Sequence, residues 1–419
     1  MSTPSGYRRI SVDSSRSREI LHVDSFAFAF TVPAKDEDFL DRMMPWDRAR
    51  AIEVADESRG TPGTLAAVHA SFAFGMRIPG GAVVPTSGLT WVGVHPGHRR
   101  RGLLRDMIDD HFERSLARGE AISVLIAAET EIYQRFGYGL AVTDCHLELG
   151  RGVGLRDIAG SSELHVEVDT ASADKHGTII REVQAQAQRP GMFATLAPQT
   201  IADTFMDLEI DRDGAEELRI VIVREGARPV AWALFQRKLD WTPSGPAGKV
   251  RVRTWGALDA KATHRLVSVL CDFDLMSTTS MGSFASDDPF LTLLKDIRGA
   301  KVAVKDKLWL RILDVKAALE ARTYSADADL ALAITDDQLE ANARTWRATI
   351  TNGAAIVSAT TDAPDLTIAA QELGAAYLGG TSIIQLHGAG LVTEHTQGAA
   401  TALSNAMAGQ GQPASNLYF

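Results

Sequence analysis

Apolar positions along the chain follow two rhythms that alternate in a fixed order between Gly63 and Ala128. "TLAAVHASFAFGMRI" and "GLTWVGV" are short apolar runs with Gly and Pro turn signals between them, the pattern of strands. After "HPGHRRRG", Leu104, Met107, Ile108, Phe112 and Leu116 recur at helical spacing, and Gly119 stands where a helix C-cap glycine belongs. "AISVLIAA" then reads as a buried strand. The order is strand, loop, helix, strand: a crossover unit with a basic loop between its first strand and its helix.

Past "RGVGLRDIAGSSE", which has the composition of a linker, the order returns. A helical segment from Ile179 to Met206 leads into "LRIVIVRE", "PVAWALFQRKLDW" and "KVRVRTWGAL", then the helix-like "THRLVSVLCDFDLM". The pattern predicts a second copy of the first unit, whose junction "WGALDAKATHRL" lacks the arginines. From Val302, "LWLRILDVKAALEAR" has an alternating start and a helical end. "LALAIT", "WRATIT" and "AAIVSAT" follow at the spacing of an antiparallel sheet, then two alanine-rich helices, "LTIAAQELGAAYLGG" and "GAATALSNAMAG". A polar linker then leads to Leu417, Tyr418 and Phe419. The expected domains are 1–149, 150–301 and 302–419.

The length of 419 residues suits two or three cores rather than one. Hydrophobic residues at 45% and charged residues at 23% place the chain among folded globular proteins. Cys145 and Cys271 form no CxxC, which fits a reducing cytoplasm. The N-terminus lacks an apolar export signal, and no stretch is apolar enough to span a membrane. A net charge of -10 disfavours nucleic acid and suits a cationic partner or simple solubility.

Against that balance, "GHRRRGLLR" gathers Arg99, Arg100, Arg101 and Arg105 around Gly102 at the start of a helix. Guanidinium donors, free helix N-H groups and the positive end of the helix dipole meet there, and glycine lets the backbone approach a phosphate closely. The alternative is an exposed basic helix start paired with Asp109, Asp110 or Glu113. The chain contains no GxxxxGK[ST], GxSxG or HExxH. His95 and His98 lack a third ligand at suitable spacing, so no metal is expected. Near the N-terminus, Phe26, Phe28, Phe30, Met43, Met44 and Trp46 stand with Asp36, Glu37 and Asp38, a mix that suits either a pocket with an acidic rim or a core helix beside a solvated patch.

Arg99-x-x-Gly102-x-Leu104 resembles the pyrophosphate loop R/Q-x-x-G-x-G/A of GNAT N-acetyltransferases, with Leu104 replacing the last small residue. "TSGLTWVGVHPGHRRRGLLRDM", "EIYQRFGYG", "LWLRILDVKAALEAR" and the aromatic C-terminus together resemble the enhanced intracellular survival (Eis) acetyltransferases of actinobacteria. The resemblance implies an α/β (α+β) chain of tandem GNAT acyltransferase folds, only the first catalytic, followed by a sterol-carrier-protein-like domain. It implies acetyl-CoA as donor, a homohexamer, and transfer to primary amines of polycationic acceptors such as aminoglycosides. Protein lysine, or a non-catalytic role binding an apolar ligand, are the rival readings. Carried over, Val92, Gly93 and Val94 would pair with the pantetheine arm. Arg99, Arg100, Arg101, Gly102, Leu103, Leu104 and Arg105 would hold the phosphates, and Ala128 and Glu129 would lie at the neighbouring strand end. Tyr133 would be the general acid and the Phe419 carboxylate the general base. Gly93 inside a strand independently suggests a bulge or a close backbone approach. For Tyr133 the alternative is core packing; for Phe419 it is a frayed tail, or an added one, since "NLYF" also occurs in engineered protease sites.

Overall fold

A computed structural model describes residues 3–33, 37–186 and 188–419. The first unit runs β1 (Tyr7–Ser11), α1 (Ser17–Phe28), α2 (Phe39–Met43), β2 (Arg50–Val54), β3 (Leu65–Arg77), β4 (Val83–Val94), α3 (Leu103–Ala117), β5 (Ile122–Leu125), α4 (Thr130–Gln134) and β6 (Gly139–Gly150). Leu103, Met107, Ile108 and Phe112 form the buried stripe of α3, whereas Leu116, expected to continue it, is exposed. Leu103 and Met107 pack with Ile52, Val54 and Ala67. On the other face, Ile20, Leu21 and Val23 of α1 and Phe39 and Leu40 of α2 cover Val68 and Ala70. β4 and β5 are parallel, as the crossover between them requires.

The second unit comprises β7 (His165–Thr170), α5 (Ala173–Ala185), β8 (Phe193–Thr195), α6 (Pro198–Thr204), β9 (Arg219–Glu225), β10 (Arg228–Lys238), the small hairpin β11 (Trp241–Thr242) and β12 (Gly245–Pro246), β13 (Gly248–Ala257), α7 (Ala260–Leu270) and β14 (Met276–Phe284). β13 and β14 pair in parallel across α7, repeating the arrangement of β4, α3 and β5. The helix expected from Ile179 to Met206 is instead α5, β8 and α6. Pro190 and Gly191, at φ +89°, break it: proline cannot continue the helical ladder and this glycine turns left-handed.

β15 (Ala303–Ile312), the strand expected to open the third unit, lies between β5 and β6, antiparallel to both. β6 also pairs with β14, so one 13-stranded sheet runs through both units. The third unit follows with α8 (Val315–Ala321) and a five-stranded sheet. Its strands are β16 (Ala328–Thr335), β17 (Thr345–Thr351), β18 (Ala354–Ala359), β19 (Leu366–Ala369) and β20 (Val392–Glu394), with α9 (Ala370–Ala376), α10 (Ile383–Gly388) and α11 (Ala399–Met407) between and after the last two. β16, β17 and β18 pair antiparallel, as expected. "LTIA" is a strand rather than a helix start, and as β19 it joins their sheet parallel to β16. Short apolar runs carry no period that separates strand from helix. α9 lies so close to the large sheet that a Cβ on Gly139 would sit 2.0 Å from the Gln371 carbonyl oxygen. Arg311 of β15 and Asp336 beyond β16 form a fully buried ion pair, 2.6 Å apart, that ties the two sheets together.

Candidate active site

β4 and β5 pair only from Thr86 to Gly88. Past Gly88, β4 runs on to Val94 against β3 alone, and β5 ends at Leu125. The strands therefore fork. Between Val68 opposite Gly93 and Ala70 opposite Thr90, β4 carries an extra residue, and Trp91 adopts φ +54°. This is the bulge expected near Gly93. It leaves one backbone edge of Val92, Gly93 and Val94 facing the fork rather than a strand.

Below the fork, the loop after β4 turns left-handed at Arg100, φ +59°, and at Gly102, φ +81°, and delivers the chain to the start of α3. Leu103 is buried and Leu104 half-buried; Arg99, Arg100, Arg101, Gly102 and Arg105 are exposed. Of the acids expected to neutralise this cluster, Asp110 is engaged elsewhere, as is its helix neighbour Asp106. Asp106 takes a two-pronged hydrogen bond from Arg9 at 2.7 and 2.8 Å, and Asp110 lies within ion-pair distance of Arg9, His69 and Arg114. Arg101 donates to the Tyr7 hydroxyl at 2.6 Å. Among the described residues Arg99 and Arg100 form no ion pair, although Asp109 feels the charge of Arg105.

Across the fork, Ala128 and Glu129 are exposed after β5, and Glu129 leads into α4, which carries Tyr133. Tyr133, Val92 and Leu104 pack at the margin of one cluster built on Leu89, Phe112 and Tyr138. Burial, with a smaller push from Glu129, raises the Tyr133 phenol to about 12. Its hydroxyl has no hydrogen-bond partner among the described residues and is not sealed from solvent. Its neighbour Tyr138 differs: fully buried, it hydrogen-bonds Ser123, which bonds His111, each at 2.7 Å. Tyr138 is committed to the core, whereas Tyr133 has a free hydroxyl.

The C-terminal tail is not frayed. Residues 413–417 are buried, and the Phe419 ring packs edge-on against Phe74, Phe193 and Phe72, with centroids 4.9, 5.7 and 6.3 Å away. Phe419 forms one wall of a cavity of ≈ 330 Å³ that also meets Trp91 of the bulge. Of the N-terminal residues expected in a pocket, Phe28, Phe30 and Met43 line it. Phe26 instead packs on His22 and His95, Met44 is core, and Trp46 donates its indole N-H to the Asp41 carbonyl. Of the acids expected at the pocket's rim, Glu37 instead lines a neighbouring hollow with Phe26 and Phe30. Asp36 lies outside the described residues, Glu37 pairs with Arg18 at 3.1 Å, and Asp38 is exposed beside α2.

The carboxylates that line the cavity are Asp24, Asp203 and Asp211. Burial raises Asp24 to about 7, and its Oδ1 has no hydrogen-bond partner among the described residues. Asp203, delivered by α6 of the second unit, is raised to about 6 by burial, opposed by Arg253. One signal for Asp24 exists in the sequence: it interrupts the apolar stripe of Ile20, Leu21 and Val23 on α1, where an acid has no structural reason to be.

The second unit has the same fork, but it is filled. The Trp255 indole of β13 donates to the Gly282 carbonyl of β14 at 2.6 Å, and its ring packs on Phe284 at 4.7 Å. Among the described residues no group of His, Cys, Asp or Glu could hold a metal ion, and no helix is long and apolar enough to cross a membrane.

Residues 8–141 match a GNAT acetyltransferase domain, residues 202–312 a second GNAT acetyltransferase domain, and residues 315–415 a sterol carrier protein domain. An uncharacterized N-acetyltransferase of Streptomyces avermitilis is 34% identical over 389 residues, covering 91% of each chain. N-acetyltransferase Eis of Mycobacterium tuberculosis is 33% identical over 261 residues, 60% of each chain. Among solved structures, Eis1 of Mycobacterium abscessus superposes with a TM-score of 0.80 at 26% identity, covering 99% of this chain and 100% of its own. A GCN5-related N-acetyltransferase of Anabaena variabilis has the same fold, with a TM-score of 0.81 at 21% identity, covering 99% and 100%.

Proposed function

The chain belongs to the Eis family of GNAT N-acetyltransferases, and from that premise we propose that it transfers acetyl from acetyl-CoA to primary amines of polycationic acceptors, aminoglycosides being the first class to test. Acetyl-CoA supplies an activated acyl group and a thiol leaving group. The observation that carries the acceptor reading is Asp24: an acid with an unpartnered buried oxygen beside the bulge, where a Cβ on Gly93 would lie 3.5 Å from it. A buried acid without a partner is costly unless a cation arrives to pair with it. Asp203 and Asp211 add negative charge to the same cavity.

The donor half rests on the loop. Arg99 and Arg100 offer unspent guanidinium groups, and the chain turns left-handed at Arg100 and Gly102 to enter α3, whose first N-H groups and dipole add to them. The open edge of Val92, Gly93 and Val94 is suited to pair with an amide-bearing arm and to donate to an acyl oxygen. Ala128 and Glu129 form the opposite lip.

Tyr133 holds a proton that it can give to the departing sulfur. A phenol at about 12 stays protonated throughout the physiological range. The burial that raises it disfavours a thiolate as well, which keeps the transfer feasible. The α-carboxylate of Phe419, ordinarily ionised well below neutrality, takes the amine proton directly or through water. A homohexamer belongs to the same reading. The deciding experiment follows free CoA thiol release with aminoglycosides and with lysine peptides in parallel. Turnover of the peptide alone overturns the acceptor class.

A further inference from the structure

Phe419 reaches the cavity on a tail with no regular secondary structure, so something other than a strand ladder must fix its register. One side chain does most of this. The Asn416 carboxamide accepts the Phe193 N-H at 2.9 Å and donates to the Phe193 carbonyl at 3.2 Å, satisfying both polar groups of one residue. Asn416 is 7% exposed, so water cannot easily replace these bonds. Around it, the Ala414 N-H donates to the Pro190 carbonyl at 2.9 Å and Gln184 donates to the Asn416 carbonyl at 3.5 Å. Phe193 itself is the start of β8, which pairs with β3 through Met76. β3 also carries Phe72 and Phe74, on which the Phe419 ring rests.

We propose that Asn416 is a positioning residue for the transfer reaction: clamped to the backbone of Phe193, it fixes the register of the tail and so the place of Phe419 at the acceptor cavity. The second unit, whose own fork is filled by Trp255, thereby supplies the edge on which an active-site segment from the third unit docks. A backbone can slide on another in steps of one residue, and each step would carry Phe419 about 3.3–3.6 Å along the tail. A displacement of that size separates a positioned proton acceptor from its amine. The inference rests on the reading that Phe419 acts through its carboxylate.

The test compares four full-length proteins: the unaltered chain, Asn416→Ala, the chain extended by two residues beyond Phe419, and both changes together. Asn416→Ala is expected to lower kcat by on the order of tenfold to a hundredfold, with the KM for acetyl-CoA unchanged. The extension alone lowers kcat, and adding Asn416→Ala to it lowers kcat no further, because no positioned carboxylate is left to misplace. If the two losses multiply, Asn416 acts through general stability and the inference is overturned. Unchanged kcat in Asn416→Ala, alongside an impaired extended chain, overturns it while leaving the carboxylate reading intact. Full activity in the extended chain overturns that reading and this inference with it. Should Asn416→Ala fail to fold, Asn416→Asp serves in its place: it keeps the acceptor for the Phe193 N-H, loses the donor, and is expected to show the same non-additivity.

Discussion

Asp24 is the residue on which the proposed acceptor site and the stability of the molecule meet. Its carboxyl titrates near 7 in the folded chain against 3.8 when exposed, so the native state binds its proton more tightly than the unfolded state does. This contribution is full below about pH 4, falls as pH rises toward 7, and stays lost above it, by about 4 kcal/mol over roughly 3 pKa units. Asp24→Asn should therefore raise Tm relative to the unaltered chain at pH 8 and converge with it near pH 4, as thermal melts across that range would show. The same variant should raise the acceptor KM. Tyr133→Phe should leave acetyl-CoA affinity unchanged and lower kcat by roughly a hundredfold or more, read as CoA thiol release. Sequence reasoning reached Tyr133 through resemblance, because nothing in "IYQRFGYG" separates a free phenol from the core phenol of Tyr138. It missed Asp24 because helix periodicity reports which face is buried, not what that face meets.

At the scale of elements, the basic loop and α3 were the most legible part of the chain. Charge, glycine and apolar period all change within a few residues there, and together they mark the start of the helix. Gly102 is held at φ +81° with its nearest obstacle, Pro4, 3.6 Å from a Cβ, so Gly102→Ala meets backbone strain rather than a clash. The strain of about 1–2 kcal/mol should appear as a raised acetyl-CoA KM with kcat nearly intact. Arg99→Ala and Arg100→Ala should each raise that KM on the order of tenfold, less at high salt, by titration calorimetry or initial rates. The Trp255 plug was not legible. The second junction visibly lacked arginines, but only the pairing of β13 with β14 shows an indole lying across the fork.

For the whole molecule, tandem order was legible and interleaving was not. A run such as "LWLRI" declares itself a strand, but its neighbours are set by packing at long range, and here they are β5 and β6, far earlier in the chain. Asp336→Ala leaves the Arg311 guanidinium buried without its partner and should cost about 3–5 kcal/mol in denaturant unfolding. A fragment ending at residue 150 should fail to give a cooperative melt, since β5 and β6 would each keep an open edge. The same interleaving sets a timetable for synthesis. At ~5–20 residues per second, the ribosome finishes β6 roughly 8 to 30 seconds before it finishes β15. Until β14 and β15 follow, the nascent first unit keeps one edge of β5 and both edges of β6 unpaired, and chaperones that shield such edges are the cellular factors on which its yield should depend.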